Sequence, residues 1–299
     1  MTKWTTIGLA PLALVGAQPA FAANCAKVSF SPATVSLPNW DPINPGAVVA
    51  TFSATIRPDS GGSKSVRIIF LDSNDVSAPI RLGVNGPIYQ VLDNSGNNIL
   101  YPKNASITTA SNPTASSPAG DMITVPLRVN VPAKTDNVDY ASGTLSETIS
   151  YAVQCFTSTG KSNGIDGPFA GPVLTLTIPQ LVSITTGSAA NIDFRNFTMT
   201  TSNVSVGVKS TSRVQVSFVT ANVSKMVRAG SPSPSPLNSS IPYTMMLNGQ
   251  PLTNGLQLSR AGTSTGTTWP LVLDLGTLPQ GKIAGSYADT ITLTLTPVN

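Results

Sequence analysis

The sequence contains no histidine, two cysteines and few charged residues: 17 Lys and Arg and 13 Asp and Glu among 299 positions. Histidine is the commonest general base in enzymes and the commonest metal ligand, so its absence argues against catalysis and against a metal centre. The basic residues are scattered singly, with no run that could follow a phosphate backbone. We therefore expect no enzymatic activity, no cofactor, no metal ion and no nucleic-acid partner.

Long hydrophobic runs are also missing. The apolar stretch near the start, Ile7 to Val15, is far shorter than the roughly 20 residues that a membrane-spanning helix needs, and Pro11 interrupts it. Lys3 precedes this stretch and Ala20-Phe21-Ala22 follows it, which is the order of a secretory signal peptide and its cleavage site. We predict a signal peptide over residues 1–23 and an exported mature chain that is not embedded in a membrane.

The two cysteines, Cys25 and Cys155, belong to the exported part of the chain. Disulfides form and persist in exported proteins, and an even pair without metal-type spacing favours one bridge. We predict a Cys25–Cys155 disulfide that ties the first strand of the first domain to a late strand of the same domain.

What the sequence does contain is alternation of apolar residues with Thr, Ser and other small residues. Short runs of this kind recur throughout, separated by Gly, Pro and Asn; examples are Val66 to Phe70, Val214 to Phe218 and Ile291 to Leu295. Period-two alternation is typical of half-buried β-strands, and evenly spaced short strands are typical of sandwiches and barrels. The fold class that we predict is all-β.

An internal repeat sets the number of domains. The segment from Gly143 to Ile149 matches the segment from Gly285 to Ile291 position by position, and a tyrosine before a turn, Tyr89 or Tyr243, precedes each copy. We predict two homologous β-sandwich domains over residues 24–178 and 179–299.

The repeated segment carries an acid in each copy, Glu147 in the first and Asp289 in the second. An acid at this place can accept hydrogen bonds from the donors of a turn, so we expect a structural role. The alternative is a carboxylate pair for glycoside chemistry, which is disfavoured because the two acids belong to different domains.

The last segment, GSYADTITLTLTP over residues 285–297, resembles the terminal motif of the spore coat protein U family. That family includes the subunits of archaic, Csu-type chaperone–usher pili. The resemblance implies immunoglobulin-like, pilin-like sandwiches in which the C-terminal domain lacks its last strand and receives it from the next subunit. A two-domain member resembles a tip adhesin that has an N-terminal adhesin domain and a C-terminal pilin domain.

The resemblance also implies partners, a location and a role. The partners would be a periplasmic pilus chaperone, an outer-membrane usher, the next pilus subunit and an abiotic or host surface. The chain would pass through the periplasm to the tip of a cell-surface pilus, where it would mediate attachment and biofilm formation. The alternative is a structural pilus or coat subunit without a binding surface of its own.

Residues for an acceptor groove can be named from the alternation. Ile291, Leu293 and Leu295 of the final strand, facing Val182 and Ile184 of the first strand of the second domain, would line it. A bare hydrophobic strand edge is a template for strand addition. The alternative is that these residues are ordinary core, completed by a further strand.

The first domain differs, because the alternating run from Val173 to Ile178 follows its last matched strand. This run either completes the first domain with its own strand or opens the second domain. Val28 and Phe30 already fit the first strand of the first domain, so we expect no free donor segment there and a terminal place in the fibre.

Aromatic and apolar residues in predicted loops are the candidates for surface adhesion: Trp40, Ile43, Tyr101 and Phe169. Each lies close to Pro or Gly, and a rigid loop with an apolar tip can bury itself against a hydrophobic surface. For Trp40 the alternative is a tryptophan that fills the end of the sandwich.

Overall fold

The computed structural model describes residues 26–58, 65–105, 122–156, 162–231, 237–277 and 280–299, with the backbone alone at 58 and 162–164. The described chain is built from twenty β-strands and one short 3₁₀ turn, Leu237–Ser239. The strands are β1 Ala26–Ser31, β2 Thr34–Ser36, β3 Val48–Pro58, β4 Ser65–Leu71, β5 Gln90–Leu92, β6 Leu100–Tyr101, β7 Ile123–Val131, β8 Gly143–Phe156, β9 Ser162–Ile178, β10 Val182–Thr186, β11 Thr201–Ser210, β12 Arg213–Thr220, β13 Lys225–Arg228, β14 Ser240–Pro242, β15 Thr244–Leu247, β16 Gln250–Pro251, β17 Leu256–Leu258, β18 Gly262–Asp274, β19 Tyr287–Ala288 and β20 Ile291–Val298. The predicted all-β class with two sandwich domains is confirmed.

The strands form two compact units that are not two continuous stretches of chain. Unit 1 takes in the described residues up to Leu37, Val49–Val131 and Ser146–Thr175. Unit 2 takes in Pro38–Val48, Pro132–Leu145 and Leu176–Asn299. The chain passes from unit 1 into unit 2 for the last time between Thr175 and Leu176, close to the predicted boundary, but two segments of the N-terminal half also belong to unit 2.

Unit 1 is a sandwich of two sheets, with strand orders β1-β3-β7-β5 and β2-β9-β8-β4-β6. Strands β1 and β3 are antiparallel, with Val28 opposite Ile56, and both side chains are buried. Phe30 on β1 reaches the other sheet, where its ring lies 5.6 Å from Phe70 and 5.0 Å from Tyr151. The alternation in these strands therefore places one face of each sheet in a shared core.

The run from Val173 to Ile178, which either completes the first domain or opens the second, forms the end of strand β9. It lies between β2 and β8, and Val173 to Thr175 pair in parallel with Thr34 to Ser36. Leu174 and Leu176 are buried. The start of this run is thus a strand of the unit 1 sandwich.

Unit 2 contains a five-stranded sheet, β10-β11-β18-β15-β16, and two three-stranded sheets, β17-β12-β20 and β14-β13-β19. Its core is formed by apolar residues of both layers, among them Val208, Val216, Trp269 and Leu271. The predicted turn after Tyr243 consists of Asn248 and Gly249 and joins β15 to β16, with Leu247 opposite Gln250. Asn248 and Gly249 have φ values of 51° and 75°, which suit a two-residue hairpin loop.

Candidate functional site: an apolar groove in the second unit

The repeated acid of unit 2, Asp289, lies at the turn just before β20. Its carboxylate accepts hydrogen bonds from the backbone N–H and side-chain amide of Asn222, at 3.0 and 3.1 Å, and from the backbone N–H of Thr290 at 2.8 Å. The hydroxyl of Tyr243 donates to the same carboxylate at 2.6 Å. Burial, and then this carboxylate, raise the pKa of Tyr243. Asp289 therefore fixes the turn from which β20 starts.

Glu147 of unit 1 occupies the matching place in the first copy of the repeat. It accepts from the backbone N–H and hydroxyl of Ser73, at 3.2 and 2.9 Å, and from the backbone N–H of Gly83 at 2.7 Å. The hydroxyl of Tyr89 donates to Asp72 at 2.8 Å and lies 3.3 Å from Glu147. Burial, followed by the hydrogen bond with Asp72, raises the pKa of Glu147 to about 7. Both acids are thus engaged by turn donors, as expected of structural acids.

The groove of unit 2 lies between strand β10, at the edge of one sheet, and strand β20, at the edge of another. It encloses about 590 Å³. Apolar residues of the unit 2 core, including Val206, Leu271 and Leu273, form its floor. Tyr243 and Asp289 also line it, so the hydrogen-bonded pair of the repeat lies at its wall.

Strand β20 forms one side of the groove and is bonded on one edge. It pairs antiparallel with β12 from Arg213 opposite Val298 to Thr220 opposite Ile291, and no other described strand pairs with it. Its threonines are exposed, whereas Ile291, Leu293 and Leu295 are only half-buried although they point toward the core. The side of β20 that faces the groove is therefore an incompletely covered apolar edge.

Four of the five predicted groove residues line this cavity: Ile184, Ile291, Leu293 and Leu295. Val182 does not line it and instead packs, half-buried, against the unit 2 core. Ile184 on β10 is 38% exposed, more than expected of a core residue in a sandwich. The sequence analysis thus named residues of both strands that border the groove, β10 and β20, and in the structure these two strands line one cavity.

Other lining residues were missed by the sequence analysis. Trp269 and Leu271 alternate along β18, and this period-two pattern could have identified them. Residues 187–192, between β10 and β11, carry no such pattern, yet they also line the groove.

The four predicted adhesion residues differ in their surroundings: Trp40 is buried, Tyr101 and Phe169 lie in strands, and Ile43 lies in an irregular segment outside the strands. Tyr101 lies in β6 and packs, half-buried, against Ile69 and Leu71. Phe169 lies in β9, with its ring 5.5 Å from Tyr151. Neighbouring Pro or Gly residues favour loops at both positions, but β9 runs through Phe169 and Tyr101 is the last residue of β6.

Trp40 is 1% exposed and is a core residue of unit 2. Its ring meets Tyr140 edge-on with centroids 5.0 Å apart, and its backbone N–H donates to Thr177 O at 3.0 Å. Ile43 is half-buried in the same segment, where its N–H donates to Asp41 Oδ1 at 2.7 Å. The alternative interpretation of Trp40, a tryptophan that fills the end of a sandwich, fits its burial.

Cys25, one half of the predicted disulfide, and the predicted signal peptide lie outside the described residues. Cys155 is buried in β8, opposite Val66 of β4. In the described ranges, no group of three or more Cys, Asp or Glu side chains could hold a metal ion. Within the same ranges, no helix has the length and apolar character needed to cross a membrane.

Comparison with known proteins finds matches only among solved structures. No protein-family model matches the chain, and no curated protein matches it. One similar structure is a chaperone–tip adhesin complex of CFA/I fimbriae, with 14% identity, a TM-score of 0.36 and coverage of 89% of this chain and 95% of that chain. A second is the CsuC–CsuE chaperone–tip adhesion subunit complex of archaic Csu pili of Acinetobacter baumannii, with 12% identity, a TM-score of 0.41 and coverage of 88% and 96%.

A third is CfaE, the adhesive subunit of CFA/I fimbria of enterotoxigenic Escherichia coli, with 15% identity, a TM-score of 0.30 and coverage of 90% and 81%. With similarities at this level, the function has to be argued from the groove itself.

Proposed function

We propose that this chain is a subunit of an archaic chaperone–usher pilus and that its unit 2 groove accepts a strand from the next subunit. The observation that carries the proposal is β20, a strand paired on one edge whose inward side chains Ile291, Leu293 and Leu295 stay half-buried. An added strand with alternating apolar residues would bond to the open edge and cover these side chains. The resemblance of residues 285–297 to the terminal motif of the spore coat protein U family supports the same assignment.

The partners follow from the groove. An exposed apolar edge of this kind promotes aggregation if it is left uncovered during export. A periplasmic chaperone would cover it first, an outer-membrane usher would exchange the chaperone for the next subunit, and the subunit would be displayed on the cell surface.

We place the subunit at the tip of the fibre. Residues 26–31, which would have to leave unit 1 to act as a donor, form β1 and pair with β3 from Ala26 opposite Pro58 to Ser31 opposite Ser53. Phe30 in this strand packs against the rings of Phe52, Phe70 and Tyr151. At the tip the subunit would mediate attachment to an abiotic or host surface and biofilm formation.

A structural pilus or coat subunit is the second candidate. The burial of Trp40 and the placement of Tyr101 and Phe169 in strands favour it, because these side chains pack within the fold and do not stand out as loop tips. Immunogold labelling distinguishes the two candidates: labels along whole fibres indicate a structural subunit, and one cluster at the distal end indicates a tip subunit.

Strand addition is tested with the full mature chain, because the unit 2 core includes Pro38–Val48 and Pro132–Leu145, which a fragment from residue 179 lacks. The probe is a lysine-flanked peptide of about ten residues, the length of a long strand, that alternates Ile with Thr. We expect it to bind the unchanged chain and to raise its melting temperature.

Two variants on one strand provide the control. Leu293→Lys places a charge on the groove side of β20 and should abolish peptide binding, whereas Thr294→Lys changes the exposed side and should bind as the unchanged chain does. Failure of the unchanged chain to bind the peptide, or equal binding by both variants, would contradict the proposal.

A further inference from the structure

The connection between β10 and β11 is longer than their pairing requires. The two strands are antiparallel neighbours, with Val182 opposite Ser210, and hairpins of this kind are usually joined by about two to five residues. Here the chain runs from Thr186 to Thr201 before it re-enters the sheet. We call residues 187–197 of this connection the strap.

The strap starts tightly against the sheet at the β10 side of the groove. Gly187 has a φ of 75°, and a Cβ at this position would collide with the carbonyl oxygen of Ser205. From there residues 188–191 are exposed and line the groove, while Ile192 is half-buried and Phe194 is 4% exposed in the unit 2 core.

The far end of the strap reaches the other side of the groove. The ring of Phe197 meets the ring of Tyr287 edge-on, with centroids 5.8 Å apart. Tyr287 lies in β19, which precedes β20, and it lines the groove together with Ala288 to Leu293. The strap therefore passes from the β10 edge to the side on which β20 begins, across the space that an added strand has to enter.

The backbone of the strap is strained at this far end. Arg195, Asn196 and Phe197 are three consecutive residues with positive φ, at 49°, 56° and 61°. Residues with a Cβ avoid this region, and a run of them is held only by surrounding contacts.

Besides the ring contact of Phe197 with Tyr287, the hydrogen bonds at this end are local. Arg195 N–H donates to Asp193 Oδ1 at 2.8 Å, and the hydroxyl of Thr198 donates to Arg195 O at 2.8 Å. Both bonds are exposed to solvent. A strained segment with solvent-exposed hydrogen bonds has a low free energy of local opening, so it opens more readily than the strands around it.

We propose that the strap partly occupies the groove while the second edge of β20 is open, and that strand addition displaces it. This inference rests on the proposed function and adds a step that regulates it. Relief of the backbone strain at residues 195–197 favours the displaced state of the strap. The Phe197–Tyr287 contact and the burial of Phe194 favour the state in which the strap occupies the groove. The balance sets the rate at which a strand enters, so the strap protects the apolar edge against partners that bind too weakly to displace it.

Hydrogen-exchange mass spectrometry with the Ile-Thr peptide tests this proposal on the full mature chain. When the peptide binds, we expect slower exchange in β20 and at least tenfold faster exchange over residues 187–197. Slower exchange in β20 with no change in the strap would overturn the strap and leave the proposed function standing. Failure of the peptide to bind would remove the proposed function, and the strap with it.

Two variants with opposite effects complete the test. Phe197→Ala removes the ring contact and should raise the association rate of the peptide about three- to tenfold. Asn196→Gly relieves the positive-φ strain, holds the strap more firmly and should lower the rate about twofold or more. Met199→Ala, at a 39% exposed position just beyond the strap, is the control and should leave the rate unchanged. Equal rates in all three variants contradict the proposal.

Discussion

Tyr243 donates a 2.6 Å hydrogen bond to Asp289, and Tyr89 stands 3.3 Å from Glu147 at the matching place in the first unit. Glu147 lies near the start of β8 and Asp289 lies just before β20, and each tyrosine comes from a segment far away in sequence. The pair therefore joins two parts of the sandwich through one buried hydroxyl. The two copies differ in the side chain that accompanies the tyrosine at the acid. Beside Glu147 it is Asp72, and beside Asp289 it is Asn222.

The first prediction concerns the pair in unit 2. Tyr243→Phe should lower the free energy of unfolding by about 1–3 kcal/mol, because it removes the one hydrogen bond described to the Oδ2 atom of the Asp289 carboxylate. Urea unfolding followed by tryptophan fluorescence measures the effect. Tyr287→Phe is the control. The Tyr287 hydroxyl donates to backbone carbonyl groups at exposed positions, so its removal should lower the free energy of unfolding less. An equal loss in both variants contradicts a special role for the Tyr243–Asp289 pair.

The second prediction is a pH dependence of unit 1. The pKa of Glu147 is raised to about 7 in the folded chain, first by burial and then by Asp72. A group whose pKa is raised by folding holds its proton in the folded state, so its contribution to stability is present at low pH and is lost as the pH rises through about 7. We expect the melting temperature of unit 1 to fall by a few degrees between pH 5 and pH 8.

Glu147→Gln supplies the test of that assignment, because it cannot ionise and should flatten this part of the pH profile. Asp166→Asn, at a half-buried position in β9, is the matched control and should retain the fall. If the profile is the same in Glu147→Gln and in the unchanged chain, another group is responsible.

The sequence predicted the parts of the molecule that depend on local pattern. The alternation from Ile291 to Leu295 gave the inward side of β20, and the repeat gave the places of Glu147 and Asp289. The sequence did not predict that Pro38–Val48 and Pro132–Leu145 belong to unit 2. Asp139 in the second segment bonds to Thr263 and Ser264, and partners so far apart in sequence leave no local signal. The burial of Trp40 was left open for the same reason, since it depends on Tyr140.

The third prediction tests that distant contact. Asp139 accepts from the backbone N–H groups of Thr263 and Ser264 at 2.9 and 2.8 Å, and these bonds, with that of Ser264 foremost, lower its pKa. Gly262 has a φ of 79°, and a Cβ there would lie 3.0 Å from the carboxylate. Gly262→Ala should therefore destabilise unit 2 through backbone strain and through displacement of Asp139.

Gly230→Ala separates the two effects, because Gly230 has a φ of 76° and nothing within 4 Å of an added Cβ. We expect thermal unfolding to show that Gly262→Ala costs at least about 1 kcal/mol more than Gly230→Ala, the lower end of overpacking penalties. Equal costs would mean that the carboxylate moves aside freely and that its bonds add little to unit 2.

The fourth prediction concerns Trp40. Because the ring is buried against Tyr140, Trp40→Ala should lower the stability of unit 2 by about 3–5 kcal/mol, as truncation of a core aromatic does. Within the part of the chain that the structure describes, Trp40 Nε1 has no hydrogen-bond partner, so Trp40→Phe loses no polar contact and should cost much less. A loss of surface attachment in Trp40→Ala without a loss of stability would restore the adhesive role.

The last prediction is the disulfide between Cys25 and Cys155. Cys155 is buried in β8, and Cys25 directly precedes β1, which belongs to the other sheet of unit 1. A bridge would tie the two sheets together and should contribute about 2–5 kcal/mol to the stability of unit 1. Peptide mapping without reductant should find both cysteines in one linked fragment, and labelling of both by iodoacetamide in the unreduced, unfolded chain excludes the bridge.

Serine variants distinguish a bridge from simple burial of Cys155. If the bridge exists, Cys25→Ser, Cys155→Ser and the double variant lose similar stability, because either single change removes the same bond. If Cys155 stabilises the core only as a buried side chain, Cys155→Ser alone is destabilising and Cys25→Ser has almost no effect. Similar losses in all three variants would therefore identify the covalent link as the source of the stability. Reduction of the unchanged chain before unfolding should then lower its stability to that of the variants.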